Sequence, residues 1–425
     1  MTDASPGLAP AFAQHQIVVI GAGAAGIATA ASLLARDATL DIALIDPADT
    51  HYYQPGWTLV GAGVFKAHST ARPMASVIPR RARWIRETVA SFEPEHNRVR
   101  LIDGRTVGYQ QLVVCPGIKL DWQAIDGLHQ ALGTHGVTSN YRYDLAPYTW
   151  ELTRRLTGGL ALFTQPPMPI KCAGAPQKAL YLACDHWLRM GRLGRVQAQF
   201  SNAGGVLFGV PDYVPALMEY IRRYQVDLRF NERLVAVNGP TRTATFIRTL
   251  PDGVEETVQQ RFELLHVVPP QSAPDFVRHS PLADEAGWLD VDPSTLRHRR
   301  FANIHGLGDA TNTSNAKTAA AARQQAPVVA SNVLHALGRA PRVAHYNGYG
   351  SCPLTVERGR IVLAEFTYGG TLAPTFPAWL LDGRRPTRAA WWLKERLLPP
   401  LYWHGMLKGR EWLARPQSRD EQFAQ

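Results

Sequence analysis

The 425-residue chain contains no run of eighteen apolar residues, so no stretch of it is predicted to cross a bilayer as a single helix. Its first fifteen residues lack a basic segment followed by an apolar one, and they read as a loose leader instead of an export signal. Cysteine is scarce: four residues, at positions 115, 172, 184 and 352, none of them in C-x-x-C spacing. That argues against a secreted disulfide framework and a thiolate metal site, and no metal is expected. Acidic residues are also short, 35 against 45 lysines and arginines, for a formal charge of +10. An excess of this size suits nucleic acid or an anionic membrane surface. The length exceeds what one hydrophobic core serves, so two or three domains are predicted.

What is present starts with Ile17-Val18-Val19-Ile20-Gly21-Ala22-Gly23-Ala24-Ala25-Gly26. A β-branched run enters a G-x-G-x-x-G turn and an Ala-rich segment follows: a buried strand, a tight turn and a helix start. Gly21 allows the turn, Gly23 lets a pyrophosphate approach the backbone, and Gly26 lets the helix lie close to the strand. The helix N-terminus, at Ala24 and Ala25, offers free N–H groups to the anion. A second apolar strand, Ile42 to Ile45, ends at Asp46, whose carboxylate is placed to take the ribose hydroxyls of an adenine dinucleotide.

Further along, His51 to Gly63 is rich in aromatics, Pro and Gly, and Gln54 falls within it. Arg80, Arg81, Arg83 and Arg86 read as a solvated face. A strand-like run ending at Val89 offers backbone groups to an adenine ring. Leu112-Val113-Val114 leads into Cys115-Pro116-Gly117, a second strand closing on a glycine turn, with Cys115 as a packed thiol. Gly159 to Thr164 opens another α/β unit. Here a nicotinamide fingerprint should follow, and the sequence gives Gln165-Pro166-Pro167-Met168-Pro169-Ile170-Lys171-Cys172 instead. Proline has no N–H with which to cradle a pyrophosphate, so a nicotinamide partner is disfavoured. A helix is predicted from Pro176 to about Met190, with Leu180, Cys184, Trp187 and Leu188 on one buried face. Cys172 lies just ahead of that helix and beside Lys171, both of which lower a thiol pKa. His266 reads as an interior histidine. Phe301 to Ala310 is a strand ending in Gly308-Asp309, and Lys317 opens a further helix nearby.

The tail, from about 371, holds Trp379, Trp391, Trp392, Trp403 and Trp412 interleaved with Arg384, Arg385, Arg388, Lys394, Arg396, Lys408, Arg410 and Arg415, and Pro399-Pro400 is expected to divide it into two short helices. Large apolar residues opposite basic ones suit a helix lying in a membrane interface, and no nucleic-acid-reading motif is present.

Together these segments resemble the sulfide:quinone oxidoreductase family, of the mitochondrial-like type, over about Ile17 to Tyr402. The resemblance is carried by Tyr53-Gln54-Pro55 through Gly63, Lys171-Cys172-Ala173-Gly174-Ala175-Pro176-Gln177-Lys178, Gly308-Asp309 with Lys317 to Ala321, and Tyr349 to Leu354, which includes Cys352. Asp46 departs from the Glu often found in relatives. The resemblance implies an α/β fold with two doubly wound, Rossmann-like domains of the flavin disulfide reductase type and a C-terminal amphipathic membrane region. Its divisions are placed at 1–150, 151–290, 291–340 (a return to the first domain) and 341–425. FAD is implied as cofactor, held by Gly21, Gly23, Ala24, Ala25, Gly26, Asp46, Gln54, Val89, Gly117, Gly308, Asp309 and Lys317. Cys172 and Cys352 are implied as a redox-active disulfide, with Cys352 taking sulfide as a persulfide and Cys172 leaving. Ubiquinone would receive the electrons, and a small thiol, sulfite or similar acceptor the sulfur. A peripheral position on the cytoplasmic face of a bacterial inner membrane is expected, with homo-oligomers allowed. Three alternatives stand beside it: a type II NADH:quinone dehydrogenase, the flavin subunit of a flavocytochrome c, and a non-catalytic flavin-binding redox sensor. Each lacks support: the first needs a second nucleotide fingerprint, the second an export signal, and the third would not retain both cysteines.

Overall fold

Four consecutive apolar residues, Ile17 to Ile20, are each at most 2% exposed, as a strand covered on both faces requires. The computed structural model describes residues 12–416, and this run ends the strand Phe12–Ile20 at the centre of a seven-stranded sheet. Across the sheet the order is Arg83–Ile85, Ile42–Ile45, Phe12–Ile20, Thr106–Val114, Arg98–Leu101, Val89–Glu93. The long strand Thr106–Val114 divides its second edge: its start pairs with Arg98–Leu101 and its end with Ile304–Gly306, parallel, where the chain returns. Residues 1–11 of the expected leader lie outside the described residues, but Phe12 to His15 are already in register with Thr106 to Tyr109. The long neighbour supplies backbone partners that the leader's composition does not reveal.

Helix α1 (Ala24–Arg36) follows the glycine turn and packs against α3 (Ala319–Ala336). Between them in sequence lies a second, all-parallel sheet in the order Val137–Thr138, Leu264–His266, Gly159–Gln165, Val196–Asn202, Asp227–Phe230. It already includes Val137–Thr138, upstream of the expected division at 150. A three-stranded antiparallel sheet, 232–261, is appended. Helix α2 (Ala175–Arg189) covers the parallel sheet, and the hairpin Gly350–Glu357/Arg360–Phe366 packs on it. Leu180, Cys184 and Trp187 are fully buried as predicted, but Leu188 is exposed. The helix is enclosed on most sides from Ala175 to Asp185, so a one-sided pattern fails only where its last turn emerges.

The tail departs most from expectation. Pro399-Pro400 does not break it: helix runs through Arg388–Trp392, Leu393–Leu397, Leu398–Pro400, Leu401–Gly405 and Met406–Lys408 without interruption. The second and fourth segments are π-helical, and such wide turns absorb the hydrogen bonds that two prolines cannot donate. Nor does the tail lie wholly outside. Tyr402, Trp403, Met406 and Leu407 are buried in one core with α1, and Trp391 packs with Ile361 and Leu363. Ser32 and Arg36 on α1 hold the Glu411 carboxylate, and His51 Nε2 lies 2.6 Å from the Tyr402 hydroxyl. Trp379, Trp392 and Trp412 are exposed, beside Leu380, Leu397 and Leu413. Residues 417–425 lie outside the described residues. Among the described residues no helix is long and apolar enough to cross a membrane, and no group of His, Cys, Asp and Glu could hold a metal ion.

Five histidines are buried among the described residues, His15, His51, His266, His298 and His305, and burial displaces three of them furthest. Burial pushes His51 and His266 down to about 4 and His305 to about 3, and neither ring nitrogen of His305 has a partner. Unfolded, each takes a proton below about 6.5; folded, each refuses it. The unfolded state therefore binds more protons as pH falls, and stability is lost from about pH 6.5 down towards the folded values. The slope is about 1.4 kcal/mol per pH unit for each histidine. Denaturant unfolding at pH 7 and pH 5 should show this fall, and His305→Leu should make it shallower; an unchanged slope would remove His305 from the account.

Candidate active site

The glycine turn has the geometry its spacing predicts. Gly21 is at φ +96°, and a Cβ there would lie 2.5 Å from the Cys115 carbonyl oxygen. One at Gly26 would lie 1.8 Å from the Gly21 carbonyl oxygen, whereas Gly23 faces open space. Two glycines thus serve packing and one leaves room for a ligand. Ala24 and Ala25 open α1. Asp46 braces the turn, accepting from Ala22 N–H at 2.7 Å and Ala48 N–H at 2.8 Å. Cys115 is buried against the Gly21 carbonyl, and burial raises its thiol far out of the reactive range. Gly117, at φ +81°, also borders open space. Val89 begins a strand, Val89–Glu93, instead of ending one, and is buried; the preceding segment turns at Glu87, whose N–H bonds to the Ile85 carbonyl. Gly308, at φ +76°, approaches Ala25 and donates its N–H to Gln325.

Asp309 follows, its carboxyl raised by burial and lowered by Lys317 and Lys171. The helix near Lys317 begins at Ala319, capped by Thr318. The Lys317 ammonium bonds to the Thr311 carbonyl and lies 4.3 Å over Trp288; burial pushes it down to about 8. Buried polar atoms near α-helical Trp57–Val60 have no protein partner: Trp57 Nε1, Thr58 Oγ1 and both amide atoms of Asn140. The Asn140 amide sits against Gly61, one turn beyond Trp57. The open turn at Gly23, the space at Gly117 and these unpaired groups fit FAD, which offers a pyrophosphate and a ring edge of donors and acceptors.

The thiols meet where this cradle joins the second sheet. Cys172 Sγ and Cys352 Sγ are 4.0 Å apart, both free. Lys178, the fourth residue of α2, turns its ammonium back to within 3.1 Å of Cys172 Sγ and 3.8 Å of Cys352 Sγ. Hydrogen bonding from Cys352 holds the Cys172 thiol well below its ordinary value, helped by Lys178 and Lys394 against the cost of burial. The same bond, with burial, raises Cys352. Lys178 is raised to about 12 by the two sulfurs, in spite of burial, and stays charged. Lys394, from the tail, reaches the Pro353 carbonyl at 3.4 Å and is pushed down to about 7 by burial and by Lys178. Gln54 is brought to the same place, accepting from the Lys171 ammonium at 2.7 Å.

The hairpin explains the absent second fingerprint. A Cβ on Gly174, at the start of α2, would lie 2.2 Å from Leu354 Cδ2 and 2.7 Å from Cys352 Sγ. The helix N-terminus that a dinucleotide would need is covered by the strand that delivers Cys352. Three contributors escaped the sequence argument. Lys178 left a signal, since a lysine four residues into a helix points towards its N-terminus. Lys394 left none among so many basic tail residues, and Tyr141, which bonds to the Cys172 segment, left none either.

Two sheets, a glycine-rich dinucleotide turn and a thiol pair at their junction define a disulfide-reductase-type oxidoreductase. In keeping with this, residues 15–154 match the family model described as pyridine nucleotide-disulphide oxidoreductase. A mitochondrial sulfide:quinone oxidoreductase from Mus musculus is 37% identical over 93% of this chain and 87% of its own length; one from Dictyostelium discoideum is 39% identical over 93% and 86%. The crystal structure of the Aquifex aeolicus sulfide:quinone oxidoreductase superposes with a TM-score of 0.73 at 18% identity, covering 93% of this chain and 91% of that one, which speaks for the fold. The chain belongs to the sulfide:quinone oxidoreductase family, whose members depend on FAD.

Proposed function

We propose that the chain oxidises sulfide at a Cys172–Cys352 disulfide and delivers the electrons to ubiquinone. Hydrosulfide attacks Cys352, forming a persulfide there as the S–S bond breaks and Cys172 leaves as a thiolate. Lys178, 3.1 Å from the leaving sulfur, offsets its charge, and a stabilised leaving thiolate speeds the exchange. A thiolate or sulfite acceptor then takes the outer sulfur, leaving Cys352 as a second thiolate. FAD, when bound, would supply the two-electron acceptor that lets the two sulfurs rejoin and a route for that pair to the quinone. Gly21, Gly23, Ala24, Ala25, Gly26, Asp46, Gln54, Val89, Gly117, Gly308, Asp309 and Lys317 are its proposed contacts. The observation that carries this reading is two sulfurs 4.0 Å apart with a buried ammonium between them.

The chain is divided, in this proposal, at 1–150, 151–290, 291–340 and 341–425. Exposed Trp379, Leu380, Trp392 and Leu397 support a peripheral position on a membrane surface, for which we infer the cytoplasmic face of a bacterial inner membrane. Mixed anaerobically with the yellow protein, sulfide should bleach the flavin band and NADH should not; the reverse would favour the NADH dehydrogenase. Cys172→Ser and Cys352→Ser should each keep the flavin and lose at least about 10³-fold in sulfide-driven decylubiquinone reduction. Activity surviving both changes would end the disulfide mechanism.

A further inference from the structure

Cys172 is not a glycine, yet its backbone is left-handed, at φ +50°. A side chain in that region costs roughly 1–2 kcal/mol, so something must hold it there. Two separate segments and the turn into α2 do. The Cys172 N–H donates to the Lys317 carbonyl at 2.8 Å, its carbonyl accepts from Ala175 N–H at 2.7 Å, and Lys171 N–H donates to Gln271 Oε1 at 2.8 Å. The remaining contact is a second side chain. Tyr141, 4% exposed, places its hydroxyl 2.9 Å from the Lys171 carbonyl oxygen and 3.3 Å from that of Cys172. Its ring is fixed among Ile170, Ala175 and Val268, so the hydroxyl has one place to go. One O–H shared by two successive carbonyls constrains the peptide between them, which is the peptide whose rotation sets φ at residue 172.

We infer that Tyr141 is a positioning residue for Cys172: its hydroxyl keeps residue 172 left-handed, and so keeps Sγ facing both Lys178 and Cys352. The inference deepens the proposed sulfide chemistry and rests on that reading for its consequence, but its test reads the thiol itself. Groups facing the Cys172 sulfur are Lys178 from α2, Cys352 from the hairpin and Lys394 from the tail, with Lys171 and Asp309 nearby. Tyr141→Phe leaves all of them, and the ring, in place. Reduced FAD-loaded wild type and Tyr141→Phe should be alkylated with iodoacetamide across pH, with Cys172 followed by peptide mass spectrometry. The variant's midpoint should rise by about one unit, a tenfold loss of thiolate where the group titrates, with flavin content and melting temperature near wild type. Sulfide-driven turnover should fall in parallel. A purely structural tyrosine would lower the melting temperature without moving the midpoint, and that result would overturn the inference. Should Tyr141→Phe not fold, 3-fluorotyrosine at position 141, a stronger donor, should move the midpoint down, and an unmoved midpoint would overturn it equally. If the wild type fails to oxidise sulfide while Tyr141→Phe still shifts the midpoint, the proposed function fails and the positioning role stands.

Discussion

Lys178→Met is expected to cut sulfide-driven quinone reduction about 10²- to 10³-fold with little loss of folded protein. Methionine fills much of the lysine's volume and adapts to irregular space, and removing a buried charge relieves its desolvation. What is lost is the ammonium 3.1 Å from the leaving sulfur. Without it the Cys172 thiol rises, because only the Cys352 hydrogen bond and Lys394 remain to hold it down against burial. A leaving thiolate that is less stabilised departs more slowly, so the exchange slows. The sign can be checked directly. Wild-type Cys172, held low, should be alkylated at neutral pH; in Lys178→Met, alkylation should need a higher pH to become fast. Equal profiles in the two proteins would mean that Lys178 does not set the thiolate.

Gly174→Ala should be nearly as damaging, for a different reason. Gly174 has φ −85°, which any residue adopts, so the backbone is no obstacle. The added methyl would instead meet Leu354 at 2.2 Å and Cys352 Sγ at 2.7 Å. Relief requires the hairpin to move away from α2. Overpacking of this kind costs about 1–3 kcal/mol, and a displacement of about 1 Å at reacting atoms costs roughly 10²-fold in rate. Gly23→Ala is the informative contrast, because nothing in the protein lies within 4 Å of its added carbon. It should leave the cofactor-free melting temperature alone and weaken FAD binding, while Gly174→Ala keeps FAD and slows disulfide closure. Melting temperature, flavin content and the rate of disulfide formation separate the two. A Gly174→Ala protein with wild-type closure would mean that the hairpin yields freely.

How much of this was legible beforehand follows from the range of the forces involved. The first sheet and its glycine turn are local features: a β-branched run, glycines at fixed offsets and an acid twenty residues on, each with one geometric use. The thiol pairing is not local. Cys172 and Cys352 stand 180 residues apart, and only resemblance joined them in the sequence; no spacing does. The tail shows the opposite failure. Alternation of tryptophan with arginine is a true local pattern, but Trp391 and Trp403 point into the protein while Trp379 and Trp392 point out. Which tryptophan goes where depends on the grooves left by α1 and by the Arg360–Phe366 strand. Proline's effect likewise depends on helix type, and a π-helical turn cannot be foreseen from Pro399-Pro400.

The grip of the tail on α1 has a consequence for how the molecule is made. Tyr402 meets His51 across 351 residues, Glu411 meets Ser32 across 379, and His51 in turn approaches the Ala22 carbonyl in the nucleotide turn. The nucleotide turn and α1 are therefore synthesised some 350 residues before the segment that completes their packing. A protease cut near residue 410 reaches, through Glu411 and Tyr402, the packing around the nucleotide turn.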